Sequence, residues 1–364
     1  MTVFNTDNKS HLDKTAFFDG QLDIARYDVM KYPQFDKLTE KQLGFFWRPQ
    51  EVELGKDSGD FKTLSPHEKH IFTSNLKRQI LLDSVQGRAP SVALLPICSL
   101  PELENWIQTW AFFETIHSKS YTWIIKNVYP DPSIVFDEIM NIKEIVDCAG
   151  DISKYYDELI ELNEFMSNPK YTQFNMQAAH KEALWMCLNA VNFLEGIRFY
   201  VSFACSWAFA ELKKMEGNAK IIKFIARDEN IHLGSTQQLL KILPTDDPEF
   251  AAIRTKLRPE VMELVKSVVD QEKAWASYLF KDGSVIGLNE KLLCNYVEWI
   301  ADKRLVALGY PPVYGTKSNP LPWTQKWIAG SDVQVAPQET EITSYIVGGV
   351  DKDVSADMFK EFKL

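Results

Sequence analysis

Two apolar, helix-patterned runs constrain the fold most, because each carries Glu-x-x-His. The first is WIQTWAFFETIHSKSYTWII, with Glu114 and His117; the second is IIKFIARDENIHLGS, with Glu229 and His232. At about 100° per residue, Glu114, His117 and Tyr121 fall at about 0°, 300° and 340° around a helix, and Trp110 lies about 40° to one side. That narrow stripe faces a core, where an acid and an imidazole are costly unless something pairs them.

One isolated Glu-x-x-His is ordinarily a surface or capping contact, and with six histidines roughly 0.4 such pairs arise by chance. The surroundings of these two argue for more. Each follows a helical run that holds a lone acid among apolar residues: Asp83 in QILLDSV, and Glu195 in WMCLNAVNFLEGIRFYVSFACSWAF. A single buried carboxylate is unstable without a cation. Asp83 precedes Glu114 by 31 positions and Glu195 precedes Glu229 by 34, so both halves repeat one helix-pair plan. Four carboxylates and two imidazoles balance two divalent ions, and oxygen-rich ligation leaves higher oxidation states accessible. Zinc sites more often use Cys or several His. The expected centre is therefore two iron ions, with manganese as the alternative. The expected fold is all-α, a ferritin-like bundle with a four-helix di-metal core and additional long helices.

Tyr121 shares the stripe with both ligands of its helix. A buried tyrosine is usually structural. Beside a strongly oxidising metal pair, however, a phenol can lose an electron and a proton, which makes Tyr121 a candidate radical store.

The remaining features narrow the class. The 364 residues are 45% hydrophobic, ample for a large core. A net charge of −10 argues against nucleic acid or an anionic membrane surface. Cys98, Cys148, Cys187, Cys205 and Cys294 are odd in number and contain no CxxC, which fits reduced cytoplasmic thiols. FYVSFACSWAFA (199–210) is too short to span a bilayer and reads as a buried helix. The first residues show no signal peptide.

Along the chain, residues 1–60 read as an irregular segment packing on the bundle. Ser65-Pro66-His67-Glu68 reads as a capping box that opens a helix ending near Gly87. Ser99-Leu100-Pro101-Glu102 gives a second box-like start, with a helix to about Tyr129, where Pro130-Asp131-Pro132 stops it. Further helices are expected at about 134–147, 151–166, 176–214, 218–242, 248–278 and 286–308. The helical domain is placed at 61–330. Residues 331–364 are acidic and polar, and predict a mobile tail.

The segments DSVQGR, ETIHSKSY, LEGIRFYVSFACS and ARDENIHL resemble the small (beta) subunit of class Ia ribonucleotide reductase. So do FFWRP, VALLP, MEGNAKII, QEKAWASYLFKDGSVIGLN and VQVAPQETEITSY, so the resemblance covers nearly the whole chain. It implies iron 1 held by Asp83, Glu114 and His117, and iron 2 by Glu195, Glu229 and His232, with Glu114 and Glu229 bridging. It implies that the di-iron site activates O₂ and leaves a stable radical on Tyr121. Phe199, Phe203 and Ile225 match the apolar pocket that shields the radical. Trp47 matches the electron donor during activation. Trp47, Asp228 and His117 match the start of a radical-transfer path. Tyr345 and Glu339 match residues that hand the oxidation to the large subunit, which the tail ending MFKEFKL docks.

A homodimer is implied as well, and the nucleotide is reduced on the partner. In agreement, this chain has no GxxxxGK, no GxGxxG and no redox dithiol. The segment between Met166 and Trp185 is shorter than its enterobacterial counterpart. Phe113, Gly196 and Trp123 are further departures close to the expected site. A di-iron oxygenase or desaturase on the same helix plan would need neither Tyr121 nor the tail. A ferritin-like iron store would be shorter and would hold many irons per chain.

Overall fold

The structure, a computed structural model, describes residues 5–6, 9–20, 22, 24–168 and 176–328. The tail expected over 331–364, with Glu339 and Tyr345, lies outside the described residues. Among the described residues the secondary structure is helical, and strand-like pairing is limited to the isolated bridges Phe17–Cys98 and Val285–Leu288.

The helices are α1 (Pro33–Gly44), α2 (Gly55–Thr63), α3 (Pro66–Gln86), α4 (Ala89–Leu94), α5 (Pro101–Val128), α6 (Ser133–Asp137), α7 (Lys143–Ser167), α8 (Gln177–Phe193), α9 (Tyr200–Glu211), α10 (Glu216–Asp246), α11 (Glu249–Lys256), α12 (Arg258–Phe280), α13 (Glu290–Ala307) and α14 (Gln325–Ile328). A π-helical turn, Leu194–Arg198, joins α8 to α9. The fold is the all-α, ferritin-like one expected. Its core is α3 packed on α5, and α10 packed on α8 and α9, with α7, α12 and α13 around them.

Local chemistry explains several boundaries. Ser65 Oγ accepts from Glu68 N, while Glu68 Oε2 accepts from Ser65 N, so the capping box forms at the start of α3. Such a cap is worth about 1 kcal/mol. The second expected box does not form. Leu100 is the N-cap of α5 without a side-chain bond, and Ser99 Oγ instead accepts from Asp19 N. Glu102, the other half of that box, accepts from Tyr32 N. Both groups are spent on pinning the N-terminal segment, and Pro101 at the first helical position starts α5 alone. That helix runs 28 residues.

Other boundaries differ from expectation for tertiary reasons. The segment before residue 60 is not irregular throughout, since it contains α1 and most of α2. The break expected near Asp151 is absent: α7 runs through Gly150, which is tolerated on the exposed face of that helix with nothing near its missing Cβ. The single helix expected over 248–278 divides at Leu257, just before Pro259, which cannot donate to the preceding turn. All five cysteines are free. No helix among the described residues is long and apolar enough to cross a membrane.

Candidate metal centre

Three long helices and the π turn deliver six side chains to one fully buried place. Asp83 comes from α3, Glu114 and His117 from α5, Glu195 from the π turn, and Glu229 and His232 from α10. They form two overlapping groups, Asp83–Glu114–His117–Glu229 and Glu114–Glu195–Glu229–His232. Within each group the candidate ligand atoms lie within 4.8 Å of one another.

Glu114 and Glu229 belong to both groups, and the distances show why. His117 Nδ1 is 3.1 Å from Glu114 Oε2 and 3.1 Å from Glu229 Oε1. His232 Nδ1 is 2.9 Å from Glu114 Oε1 and 3.1 Å from Glu229 Oε2. Each of these carboxylates therefore spans the two imidazoles.

The donor set fits two cations. Both oxygens of Asp83 and one oxygen of Glu195 are buried with no hydrogen-bond partner. Orphaned buried carboxylate oxygens are rare unless an ion completes them. The electrostatics carry the same message. Burial, then Glu114 and Glu229, push Asp83 well above the usual carboxylate range. Burial, then Glu229 and Glu114, do the same to Glu195. Burial lowers the pKa of His232, yet Glu114 and Glu229 outweigh it and push that pKa up to about 9. His117 is likewise held well above its ordinary value against burial, by Asp228, Glu114 and Glu229. The cluster gathers more negative charge than a dry interior sustains, and among the described residues its carboxylates are ion-paired with the two histidines and with no Lys or Arg.

The side chains around the cluster are specific. Trp110 Nε1 donates to Glu114 Oε1 at 2.9 Å. Asp228 Oδ2 accepts from Trp47 Nε1 at 2.8 Å and lies 3.2 Å from His117 Nε2. Burial pushes Asp228 up, but Arg227, His117 and Trp47 outweigh it and hold its carboxyl below the usual range. An ionised Asp228 can only accept, so His117 Nε2 carries the proton and Nδ1 is left facing the cluster. Arg227 ties this chain to the outer segment through Phe45 O at 2.8 Å and Asp228 Oδ1 at 3.1 Å.

Tyr121 is fully buried. Its hydroxyl lies beside Asp83, and burial and then Asp83 push its pKa well up. Phe199, Phe203 and Ile225 are also fully buried, and the two phenylalanine rings stack with centroids 5.7 Å apart.

Sequence reasoning missed Gln86, whose Nε2 donates to Glu195 Oε1 at 2.6 Å, and Tyr156, whose hydroxyl donates to Gln86 Oε1 at 3.0 Å. One signal was present for Gln86: it lies three residues after Asp83, on the same helix face. Arg304, which donates to Gly196 O at 3.0 Å, had none.

A helical bundle offering four carboxylates and two imidazoles to two adjacent buried positions has the ferritin-like architecture of a site that could hold two metal ions. A family model for the ribonucleotide reductase small chain matches residues 25–320. The chain is 52% identical over 373 residues to the ribonucleoside-diphosphate reductase subunit beta of Haemophilus influenzae, a match covering 100% of this chain and 99% of that one. Its fold is similar to the ribonucleotide reductase R2 subunit from Clostridium botulinum, with a TM-score of 0.78, 23% identity and coverage of 90% of this chain and 98% of that one. It is also similar to the dimanganese(II)-NrdF of Streptococcus sanguinis, with a TM-score of 0.68, 21% identity and coverage of 85% and 100%. The chain belongs to the ribonucleotide reductase small-chain family.

Proposed function

We propose that this chain is the radical-generating small subunit of a ribonucleoside-diphosphate reductase, an oxidoreductase that works only with a large subunit. The observation that carries this reading is the junction of three elements: the two-position acidic cluster, the buried phenol of Tyr121 beside Asp83, and the His117–Asp228–Trp47 chain leading away from it. A store or an oxygenase has use for the first alone.

In this reading Asp83, Glu114 and His117 would hold one ion and Glu195, Glu229 and His232 the other, with Glu114 and Glu229 belonging to both groups. Iron is the metal we favour. The manganese named for the Streptococcus sanguinis protein is the alternative, since the oxygen-rich donor set suits both. Bound there, two iron ions would supply, with O₂, a one-electron oxidant for a neighbouring phenol.

The remaining roles belong to the chain. Tyr121 would give up one electron to that oxidant and its proton to the adjacent Asp83 carboxylate, and would keep the radical. Phe199, Phe203 and Ile225 exclude water and reductants around it. Asp228 accepts hydrogen bonds from His117 and Trp47 and holds both rings in register, so the oxidation can leave through them.

Tyr345, with Glu339 beside it in the tail, passes the oxidation to the large subunit, and the final residues dock that subunit. A second copy of the chain covers the half-exposed Leu43, Phe46 and Phe112, where the rings of Phe46 and Phe112 stack 6.4 Å apart.

The test is low-temperature EPR after ferrous iron and oxygen are added to the metal-free chain, followed by deoxyribonucleotide formation with the large subunit. A tyrosyl doublet and turnover are expected. Removing residues after 340 is expected to keep the doublet and abolish turnover. Iron uptake with no doublet would overturn the radical role, and turnover without the tail would overturn the docking role.

A further inference from the structure

Glu195 is held differently from the other five cluster residues. It sits on the π turn, and its Oε1 is engaged by Gln86 while Oε2 has no hydrogen-bond partner. Gln86, fully buried at the end of α3, is engaged in turn by Tyr156 of α7. Helix α7 contributes nothing to either metal group, yet it reaches the cluster through this chain.

We infer that Tyr156, acting through Gln86, is a positioning residue for the metal position that Glu195 helps to form. The inference rests on the proposed ligand role of Glu195. Its logic is hydrogen-bond polarity. A primary amide has a donor end and an acceptor end of almost the same shape, so packing alone does not choose between its two orientations. The Tyr156 hydroxyl, whose proton needs an acceptor, chooses together with the Glu195 carboxylate, which only accepts.

With Oε1 toward Tyr156, the hydroxyl proton has an acceptor, and Nε2 points at Glu195. Turned over, the amide would leave that proton without an acceptor in a buried place and would set its own oxygen against a carboxylate. Both consequences are costly. Tyr156 thereby reinforces Gln86 as a donor to Glu195. Gln86 in turn holds Oε1 of Glu195 and leaves Oε2 as the oxygen free to ligate. Partners of this kind orient metal-binding carboxylates and typically change affinity 10–100-fold. The shape of the site needs no Tyr156 hydroxyl, so its removal reads polarity alone.

The experiment is an anaerobic Mn²⁺ titration of the full-length, metal-stripped chain, with free Mn²⁺ counted by its aqueous EPR signal. The parent takes up two ions. Tyr156→Phe is expected to hold one ion as the parent does and to bind the other about 10-fold more weakly. Gln86→Met is expected to lose at least as much from the same ion. The double variant is expected to be no weaker than Gln86→Met, because the tyrosine acts only through the amide. Tyr155→Phe, its half-buried neighbour, is expected to match the parent.

Two ions bound by Tyr156→Phe at parental affinity would overturn the inference, as would equal weakening of both ions or losses that add in the double variant. If Gln86→Met does not fold, Tyr156→Phe decides alone: a loss confined to one ion supports the inference, and any other pattern overturns it. A parent that takes up no pair of ions fails the ligand reading itself, a distinct result.

Discussion

The two metal positions share Glu114 and Glu229 but are built in opposite ways. On one side, Asp83 and His117 stand on regular α-helix, and the bonds around His117 lead outward, through Asp228 to Trp47 and through Arg227 to Phe45 O. On the other, Glu195 stands on a π turn fastened from several directions. Gln86 holds its carboxylate, Arg304 takes Gly196 O, and Arg198 binds Asp151 Oδ2 at 2.8 Å and Cys148 Sγ at 3.1 Å. A π turn places one extra residue in a helix and releases backbone groups that need new partners, and such turns gather at functional sites. One side is wired toward a route out, and the other is clamped. That asymmetry fits a centre that must export an oxidation in one direction.

The largest effect tests the wired side at its source. Tyr121→Phe is expected to abolish the tyrosyl doublet completely while uptake of two metal ions is kept, as read by EPR and metal analysis. A doublet surviving in the variant would move the radical to another phenol and leave the asymmetry without a purpose.

Next is the route itself. Trp47→Phe keeps an aromatic ring but loses the bond to Asp228 Oδ2. Turnover with the large subunit is expected to fall by about 100-fold, the upper end of what such supporting partners are worth. Metal content is expected to stay at two ions. Loss of metal instead would mean that Trp47 belongs to the clamp and not to a route.

Much of this centre was legible in the sequence because its signals are local. Glu114 and His117, like Glu229 and His232, lie one helical turn apart, so the 3.6-residue period alone puts each pair on one face. Asp83 and Glu195 stood out as lone acids in apolar runs. The clamp was not legible, because each of its bonds joins residues far apart in the chain: Gln86 meets Glu195 across 109 positions and Arg304 meets Gly196 across 108. Nor does residue choice encode the π turn. LEGIR has no Pro, and its one Gly196 is a signal that regular helices also tolerate; what selects the extra residue is the set of partners waiting for its freed groups. Ser99 shows the converse, a strong local capping signal overridden by a tertiary bond to Asp19 N.

A smaller effect concerns the helix that both positions share. Asp57 accepts from Gly217 N at 3.0 Å and Asn218 N at 2.6 Å, so it caps the start of α10, which carries Glu229 and His232. Burial pushes its pKa up to about 6, against the two backbone bonds. A carboxyl with a raised folded pKa binds its proton more tightly when folded. Its contribution to stability is full below about pH 4 and is lost as pH rises to about 6. In Asp57→Asn that fall should be absent. The difference in unfolding free energy between the two metal-free chains is then expected to change by up to about 3 kcal/mol across the window, measured by denaturant midpoints at successive pH values. A constant difference would mean that Asp57 titrates alike folded and unfolded.

The smallest effects come from two glycines, one inside the clamp and one outside it. A Cβ at Gly196 would lie 3.0 Å from Leu233 Cδ1 and 3.2 Å from two carbons of Arg304. Arg304 cannot retreat freely, because its Nε is bonded to Gly196 O. Gly196→Ala should therefore cost about 1–3 kcal/mol of overpacking. Gly150 lies on the exposed face of α7 with nothing near its missing Cβ, and Gly150→Ala should gain about 0.5–1 kcal/mol from a stiffer unfolded chain. Thermal unfolding of the two variants should thus shift in opposite directions. If Gly196→Ala proved as harmless as Gly150→Ala, Arg304 would have room to move with the π turn. The turn would then be supported loosely, and the contrast between a clamped and a wired side would rest on Gln86 and Arg198 alone.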